Sequence, residues 1–353
     1  PCLITMTADV ERVELAPGYS IARIINGCWQ LSPDHGGGPA SRDETLRHFS
    51  ELVEHGFTTF DCADIYEGTE ALLGQFRRSL AKPDVVQIHT KYVPDRDSLH
   101  TLKPADVDLA IERSLRRLDV ERIDLVQFHW WSYDVPGIDA VMAQLVRAQA
   151  AGKIRLIGVT NFDTPHLRQM MESGAPIVAM QTQYSLLDRR PETSLVDYVA
   201  TRGVHLLAYG TLGGGFLSER WLGEQQPREM NRSLQKYRLI IDEAGGWEQF
   251  QNLLAVLQSI ARKHDVAIAT VAARWALDRP SVAAAILGIG RKSRVAQYAE
   301  IAALSLHADD ERAINEQLKA QAIPPGDTYE LERNPDGLHA KIIKTDLRTE
   351  TGG

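Results

Sequence analysis

Cysteine is scarce in this chain: its 353 residues include only Cys2, Cys28 and Cys62. The number is odd, the positions are spread out, and no Cys-x-x-Cys pair occurs. That disfavours a disulfide framework or a zinc knuckle and favours a reducing compartment, so a cytoplasmic location is expected. Positive charge is also short. A formal net charge of −8 argues against broad electrostatic binding to nucleic acid or an anionic membrane, while leaving room for a local basic pocket. No apolar run approaches the length that spans a bilayer. The N-terminus lacks the basic, apolar, small-residue order of a signal peptide. The first residue is Pro1 rather than Met, which leaves open a short leader, removed or outside the numbering. Internal repeats, low-complexity tracts and a splitting linker are missing as well. Apolar residues at 44% and charged residues at 24% suit a soluble globular protein with a substantial core.

What is present is a rhythm. Short runs rich in Val, Ile and Leu read as strands: Phe57 to Phe60, Val85 to Thr90, Ile123 to Phe128, Ile154 to Val159, Ile177 to Met180, Val204 to Ala208 and Val282 to Leu287. They are mostly apolar throughout, as parallel strands covered on both faces should be. Amphipathic stretches lie between them: Thr69 to Leu80, Pro104 to Leu118, Ile138 to Ala151, Pro165 to Glu172 and Ser194 to Arg202. One more strand within Ile24 to Leu31 and a helix around Asp43 to His55 complete eight β-α units. Strict alternation over this length predicts a parallel sheet, either doubly wound or closed as a barrel.

Several pieces fall outside the rhythm. Val13 to Ile25, with Pro17-Gly18 at its turn, reads as a small leading hairpin. After the seventh strand a long stretch reads as loop, functional or disordered, and residues from about Gly210 to Glu243 are expected to be mobile without a ligand. Helices follow at Trp247 to His264, Thr270 to Asp278 and Asp309 to Gln321, and the tail from Ile323 reads as irregular.

The position of the polar residues is the most informative feature. Asp61, Lys91, His129, Thr160 with Asn161, Gln181, Tyr209, and Gly288 with Gly290 each end a predicted strand. In parallel α/β folds those ends open on one face, where active sites are built. Each residue singly has a bland reading: a turn cap, a surface lysine, a satisfied buried histidine. Together they place an acid, a base and an imidazole at one mouth. Tyr66 follows in the loop after Asp61. A phenol has an ordinary pKa of about 10, and an ammonium beside it eases proton donation. Lys91 can supply that charge, Asp61 can hold Lys91, and His129 can donate a hydrogen bond to a carbonyl oxygen. Such an assembly can protonate an oxygen as hydride reaches carbon.

These residues carry a resemblance. Asp61-Cys-Ala-Asp-Ile-Tyr66, Lys91 and Asp124-Leu-Val-Gln-Phe-His129 resemble the Asp, Tyr, Lys, His tetrad of the aldo-keto reductases. Ile157-Gly-Val-Thr-Asn161-Phe162, Gln181 through Tyr184-Ser-Leu-Leu and Tyr209-Gly-Thr-Leu-Gly-Gly-Gly-Phe-Leu217 resemble that family's cofactor motifs. The likeness runs from about Gly27 to Ala303. It implies a (β/α)₈ TIM barrel with an N-terminal β-hairpin and extra C-terminal helices. The expected layout is one domain over residues 1–353, with the barrel at about 20–305 and a C-terminal helix and tail at 306–353. It implies reversible reduction of an aldehyde or ketone by NADPH, with NAD(H) as the alternative. The rival reading is a cofactor-binding regulatory subunit of the same fold that acts through a protein partner, as potassium-channel β subunits do.

By the same resemblance Asp61, Tyr66, Lys91 and His129 are catalytic. Thr160, Asn161 and Gln181 hold the nicotinamide carboxamide and Tyr209 stacks on its ring. Gly213 to Gly215 let backbone amides approach the pyrophosphate. Cys28, Trp29, Gly210, Leu212, Gly214, Gly288, Gly290, Arg291, Arg294 and Gln297 complete the implied cofactor contacts. Arg291, Lys292 and Arg294 form the basic cluster expected to read a ribose phosphate. The chain departs from the pattern in having Glu67 after Tyr66, Gly288 where many members carry Lys, and Gln297-Tyr298 where they carry Glu-Asn. Trp29, Trp130 and Trp131 are the substrate candidates, with Tyr133 beside them; for Trp130 and Trp131, packing between barrel and helix is an equal alternative. Asp34 to Pro39 reads as a rim loop, and His35 there has no partners at metal-ligand spacing, so no metal site is expected. Cys62 reads as a small packed residue rather than a reactive thiol. The expected partner is a small carbonyl compound, without nucleic acid or membrane, and nothing sets an oligomeric state.

Overall fold

Eight parallel strands close on themselves. They are β3 (Ile24–Gly27), β4 (Thr59–Asp61), β5 (Gln87–Tyr92), β6 (Ile123–Phe128), β7 (Ile154–Thr160), β8 (Ile177–Gln183), β9 (His205–Tyr209) and β10 (Val282–Gly288), with β10 paired to both β9 and β3. The structure is a computed structural model that describes residues 10–31, 41–289 and 293–343. Of the two arrangements that the alternation allowed, the barrel is the one formed. The strands are apolar along their length because both faces are covered: β3 is buried at every position and β8 at nearly every one.

The hairpin β1 (Arg12–Ala16) and β2 (Tyr19–Ala22) caps the N-terminal end of the barrel. Leu15, Tyr19 and Ile21 pack there on Ile25, Leu125, Ala179 and Leu207. The Tyr19 hydroxyl lies 3.0 Å from His89 Nε2 inside the barrel. That end is plugged, so access to the interior is from the other end.

The helices form the outer layer. They are α1 (Arg42–Glu54), α2 (Thr69–Ser79), α3 (Pro104–Leu118), α4 (Ile138–Ala150), α5 (Thr164–Glu172), α6 (Leu195–Ala200), α7 (Arg232–Glu243), α8 (Gly246–His264), α9 (Ile268–Leu277), α10 (Val295–Ala303) and α11 (Ala308–Lys319). Local chemistry starts several of them. Ser41 and Glu44 make a reciprocal capping box on α1, and Asp163 caps α5. Pro104 opens α3 at a position where no backbone N–H is needed.

Two expectations are overturned here. The stretch after β9 read as loop, but α7 occupies its second half, capped by Asn231, whose side chain accepts from Leu234 N–H. The tail after Ile323 read as irregular, but it holds α12 (Glu330–Arg333) and α13 (Leu338–Lys341). α7 packs on α8 and on the turn after β9, and α13 packs on α7, contacts that local sequence pattern does not encode.

Candidate active site

Strand register brings the predicted residues to one level. Gly27 pairs with Asp61, Asp61 with His89, Lys91 with Gln127, Thr160 with Gln181, and Gln183 with Tyr209. His129 and Asn161 stand just beyond β6 and β7.

Asp61 is the hub. Lys91 Nζ donates to its Oδ2 at 2.6 Å and to the Cys62 carbonyl at 2.8 Å. Gln181 Nε2 donates to Oδ1 at 2.7 Å and Gln127 Nε2 donates to the same oxygen at 3.0 Å. Asp61 and Lys91 are both buried. Two buried ions are stable only when paired and hydrogen-bonded, and this pair is. The Lys91 ammonium stands over the Tyr66 ring, 5.3 Å from its centroid. Burial pushes the Tyr66 phenol up to about 12; Lys91 pulls the other way without winning. The pull exists, but desolvation outweighs it, and Tyr66 holds its proton at neutral pH.

His129 is buried, and burial drives its imidazole down to about 3, so the ring is neutral. Its Nδ1 lies 3.3 Å from the Thr160 carbonyl oxygen. A carbonyl only accepts, so this contact favours the tautomer with its proton on Nδ1, which leaves Nε2 an acceptor. Donation to a carbonyl oxygen, as read from the sequence, needs the other tautomer. The contact is long for such a bond, so little opposes the switch.

The C-terminal segment reaches this mouth. Tyr329 packs edge-on against His129, with ring centroids 5.6 Å apart. Its backbone sits at φ 62°, a left-handed geometry costly for a tyrosine. A latch holds it there. Glu332 accepts from both terminal nitrogens of Arg190, at 2.8 and 3.1 Å, and Arg190 also bridges to Asp188. Burial works to raise Glu332, but Arg190 overrides it and holds the carboxyl at about 2. Arg333 lies over Tyr133 and donates to the Trp130 carbonyl at 2.7 Å.

The two tryptophans separate. Trp131 packs edge-on to His129 at 4.6 Å and is anchored by a bond from Nε1 to the Pro94 carbonyl. Trp130 is fully buried, bonded to the Val135 carbonyl and set against Phe128. The substrate reading of Trp130 is corrected: it is core, because its side chain presents no surface to the mouth.

The sequence model of the Aldo/keto reductase family matches residues 23–319. The chain belongs to this family. It is 27% identical to the aldo-keto reductase YhdN of Bacillus subtilis over 84% of this chain and 90% of that protein. It is 25% identical to the NADH-specific methylglyoxal reductase of Escherichia coli, over 86% of this chain and 96% of that one. Among solved structures it resembles the glycerol dehydrogenase of Gluconobacter oxydans, with a TM-score of 0.73, 26% identity, and coverage of 88% and 95%. The chain is thus an oxidoreductase of the aldo/keto reductase family, acting on carbonyl compounds.

In this aldo/keto reductase, the cofactor candidates line β7 to β10. Tyr209 donates its hydroxyl to Asn161 Oδ1 at 2.8 Å, and Asn161 takes φ 60° to present that oxygen. Thr160 and Gln181 are buried beside it. Gly210, Gly213 and Gly214 all have positive φ. A Cβ at Gly214 would strike the Tyr237 ring at 2.4 Å, so Tyr237 of α7 lies on this bare backbone. Leu212 caps the short turn Gly213–Gly215. Trp29 opens a short turn after β3, and the Cys28 side chain is fully buried. At the far side Arg294 donates to Gln297 Oε1 at 2.9 Å, while its buried Nε has no hydrogen-bond partner among the described residues. A buried guanidinium N–H without an acceptor suits an anionic ligand. Gly288 has the Gln30 amide against it, which fills the space a longer side chain would need. Gly290, Arg291 and Lys292 lie outside the described residues, as do Cys2 and the rim loop with His35.

Sequence reading missed Gln127, Tyr329, Glu332 and Tyr237. Gln127 had a usable signal, since it lies near the end of β6, two residues before His129, where a strand's period of two points both the same way. The others had none. Among the described residues His264, His307 and Asp310 also come together at metal-ligand spacing. Asp310 is saturated there by Lys263, His264 and the His307 backbone N–H, as the cap of α11.

Proposed function

We propose that the chain reduces an aldehyde or ketone to the alcohol, reversibly, with Tyr66 as proton donor and NADPH as the preferred cofactor. The observation that carries this is the buried Lys91–Asp61 pair set beneath Tyr66, with neutral His129 at the same mouth. A bound nicotinamide cofactor would supply the hydride. Tyr66 keeps its proton until charge develops on the substrate oxygen. Lys91 then stabilises the phenolate through space, as a fixed charge that need not reorganise. Asp61, held by Lys91, Gln127 and Gln181, keeps that ammonium in place. His129 positions the substrate oxygen, donating to it from Nε2 in the tautomer that carries its proton there. Trp131 and Tyr329 close the pocket and exclude water.

The residues fit the cofactor. Thr160, Asn161 and Gln181 would hold the carboxamide, and Tyr209 the ring. Gly210, Leu212 and Gly214 would approach the pyrophosphate, with Cys28 and Trp29 as the remaining contacts. Gly288, Arg294 and Gln297 would take the adenosine end. The orphan Nε of Arg294 supports the phosphate-bearing cofactor, although one relative is named as NADH-specific.

Tyr66→Phe tests the assignment. It should lower kcat by about 10²–10⁴-fold and leave the Kd for NADPH nearly unchanged, since the phenol acts in the transition state. Near-normal turnover in this variant would remove Tyr66 from the mechanism. A wild-type protein that binds NADPH yet turns over no carbonyl compound would favour the partner-docking subunit instead.

A further inference from the structure

The charges at this mouth are nearly all spent. Lys91 is committed to Asp61, and Arg190 to Asp188 and Glu332. Arg333 is laid over rings and bonded to a backbone carbonyl. Lys236 of α7 differs. Its ammonium stands over the Tyr209 ring at 5.0 Å and the Tyr237 ring at 5.6 Å. No carboxylate among the described residues lies within 4.0 Å of it. It is half-buried, on the site side of a helix whose exposed face already carries the Arg238–Asp242 pair. A lysine ordinarily keeps its ammonium in bulk water.

The position is at the reacting end. Tyr209 is bonded to Asn161 at the close of β7, and the Glu332 segment next to Lys236 carries Tyr329 onto His129. The basic residue suited to a ribose phosphate, Arg294, lies elsewhere, at the start of α10. Desolvation pushes the Lys236 ammonium below its ordinary pKa, and Glu332 and Asp188 only partly restore it because Arg190 opposes them. An anion seated on Lys236 would complete that balance.

Resting on the reductase reading above, we propose that Lys236 selects the substrate: the preferred carbonyl compounds carry a carboxylate, which the Lys236 ammonium binds while the carbonyl faces Tyr66. The competing account makes Lys236 only a distant counter-charge to the Asp188–Arg190–Glu332 latch.

The test compares benzaldehyde with 4-carboxybenzaldehyde in wild type, Lys236→Met and Lys236→Arg. Met keeps the packing of the stem on the two rings. The ratio of kcat/KM, carboxylate over neutral aldehyde, should fall about 10- to 100-fold in Lys236→Met, as for loss of a charged hydrogen bond, and be largely retained in Lys236→Arg. An unchanged ratio overturns the proposal. So does a loss of NADPH affinity by fluorescence titration with the ratio intact, which would assign Lys236 to the cofactor phosphate. If wild type turns over neither aldehyde, the reductase reading fails by itself. Calorimetric binding of 4-carboxybenzaldehyde to the cofactor-loaded protein then decides: binding lost in Lys236→Met upholds the inference, and equal or absent binding in both proteins overturns it.

Discussion

Asp61 shows how one carboxylate organises a site. It accepts from an ammonium and two amides, all within 3.0 Å. Removing its cation leaves a buried, uncompensated charge, a change that typically costs about 3–5 kcal/mol. Lys91→Met should therefore lose both turnover and stability, read as a lower urea midpoint. An unchanged midpoint would mean that the pair is solvated. Arg294→Ala should raise the Kd for NADPH far more than that for NADH, and equal effects would deny Arg294 the ribose phosphate. His129 offers a spectroscopic check. Its ¹⁵N shifts should report a neutral ring protonated at Nδ1 without substrate, and protonation at Nε2 once a carbonyl-bearing inhibitor binds.

At the scale of elements, close approach and latching decide function. A Cβ at Gly74 of α2 would meet the Arg117 and Leu118 carbonyls at 2.6 Å, because α2 and α3 cross there backbone to backbone. The arginines at the end of α3 then reach the Tyr66 loop: Arg117 donates to the Asp64 carbonyl, and Arg113 approaches the Asp64 carboxylate at 3.7 Å. Gly74→Ala should destabilise by about 1–3 kcal/mol through overpacking, measured by thermal melting. The Glu332 latch makes a second expectation. Glu332→Gln should speed hydrogen exchange at Tyr329 to Arg333 and raise KM, while Tyr66, which the latch does not touch, keeps its role. Exchange as slow as in wild type would show that the segment is held by packing alone.

Two buried histidines give the whole molecule an acid limit. Burial lowers His89 to about 4 and His129 to about 3, against an ordinary value of 6.5. Between those values the unfolded chain binds protons that the folded chain refuses. Stability therefore falls as pH drops below 6.5, by about 1.4 kcal/mol per pH unit for each histidine. Glu332, depressed to about 2, acts in the same direction below its ordinary 4.5. Urea midpoints at pH 7 and pH 5 should differ accordingly, and a flat profile would mean that the histidines take up protons in place.

Some of this was written in the sequence. Apolar runs at a β-α period dictate parallel strands covered on both faces, and polar residues at the run ends dictate a mouth. That Asp61, Tyr66, Lys91 and His129 meet at one mouth was legible because strand ends and chain order are local properties. The burial of Trp130 and the reach of the C-terminal segment were not, and alternation alone left barrel and open sheet undecided until the family resemblance chose the barrel. Each depends on which surfaces meet across the barrel. Tyr329 reaches His129 on a segment that Glu332 ties to Arg190, a pair separated by 142 residues, and that Arg333 ties to the Trp130 carbonyl. Residue pattern sets what a segment can form, but long-range burial and ion pairing choose where it lies, and no local window contains both partners.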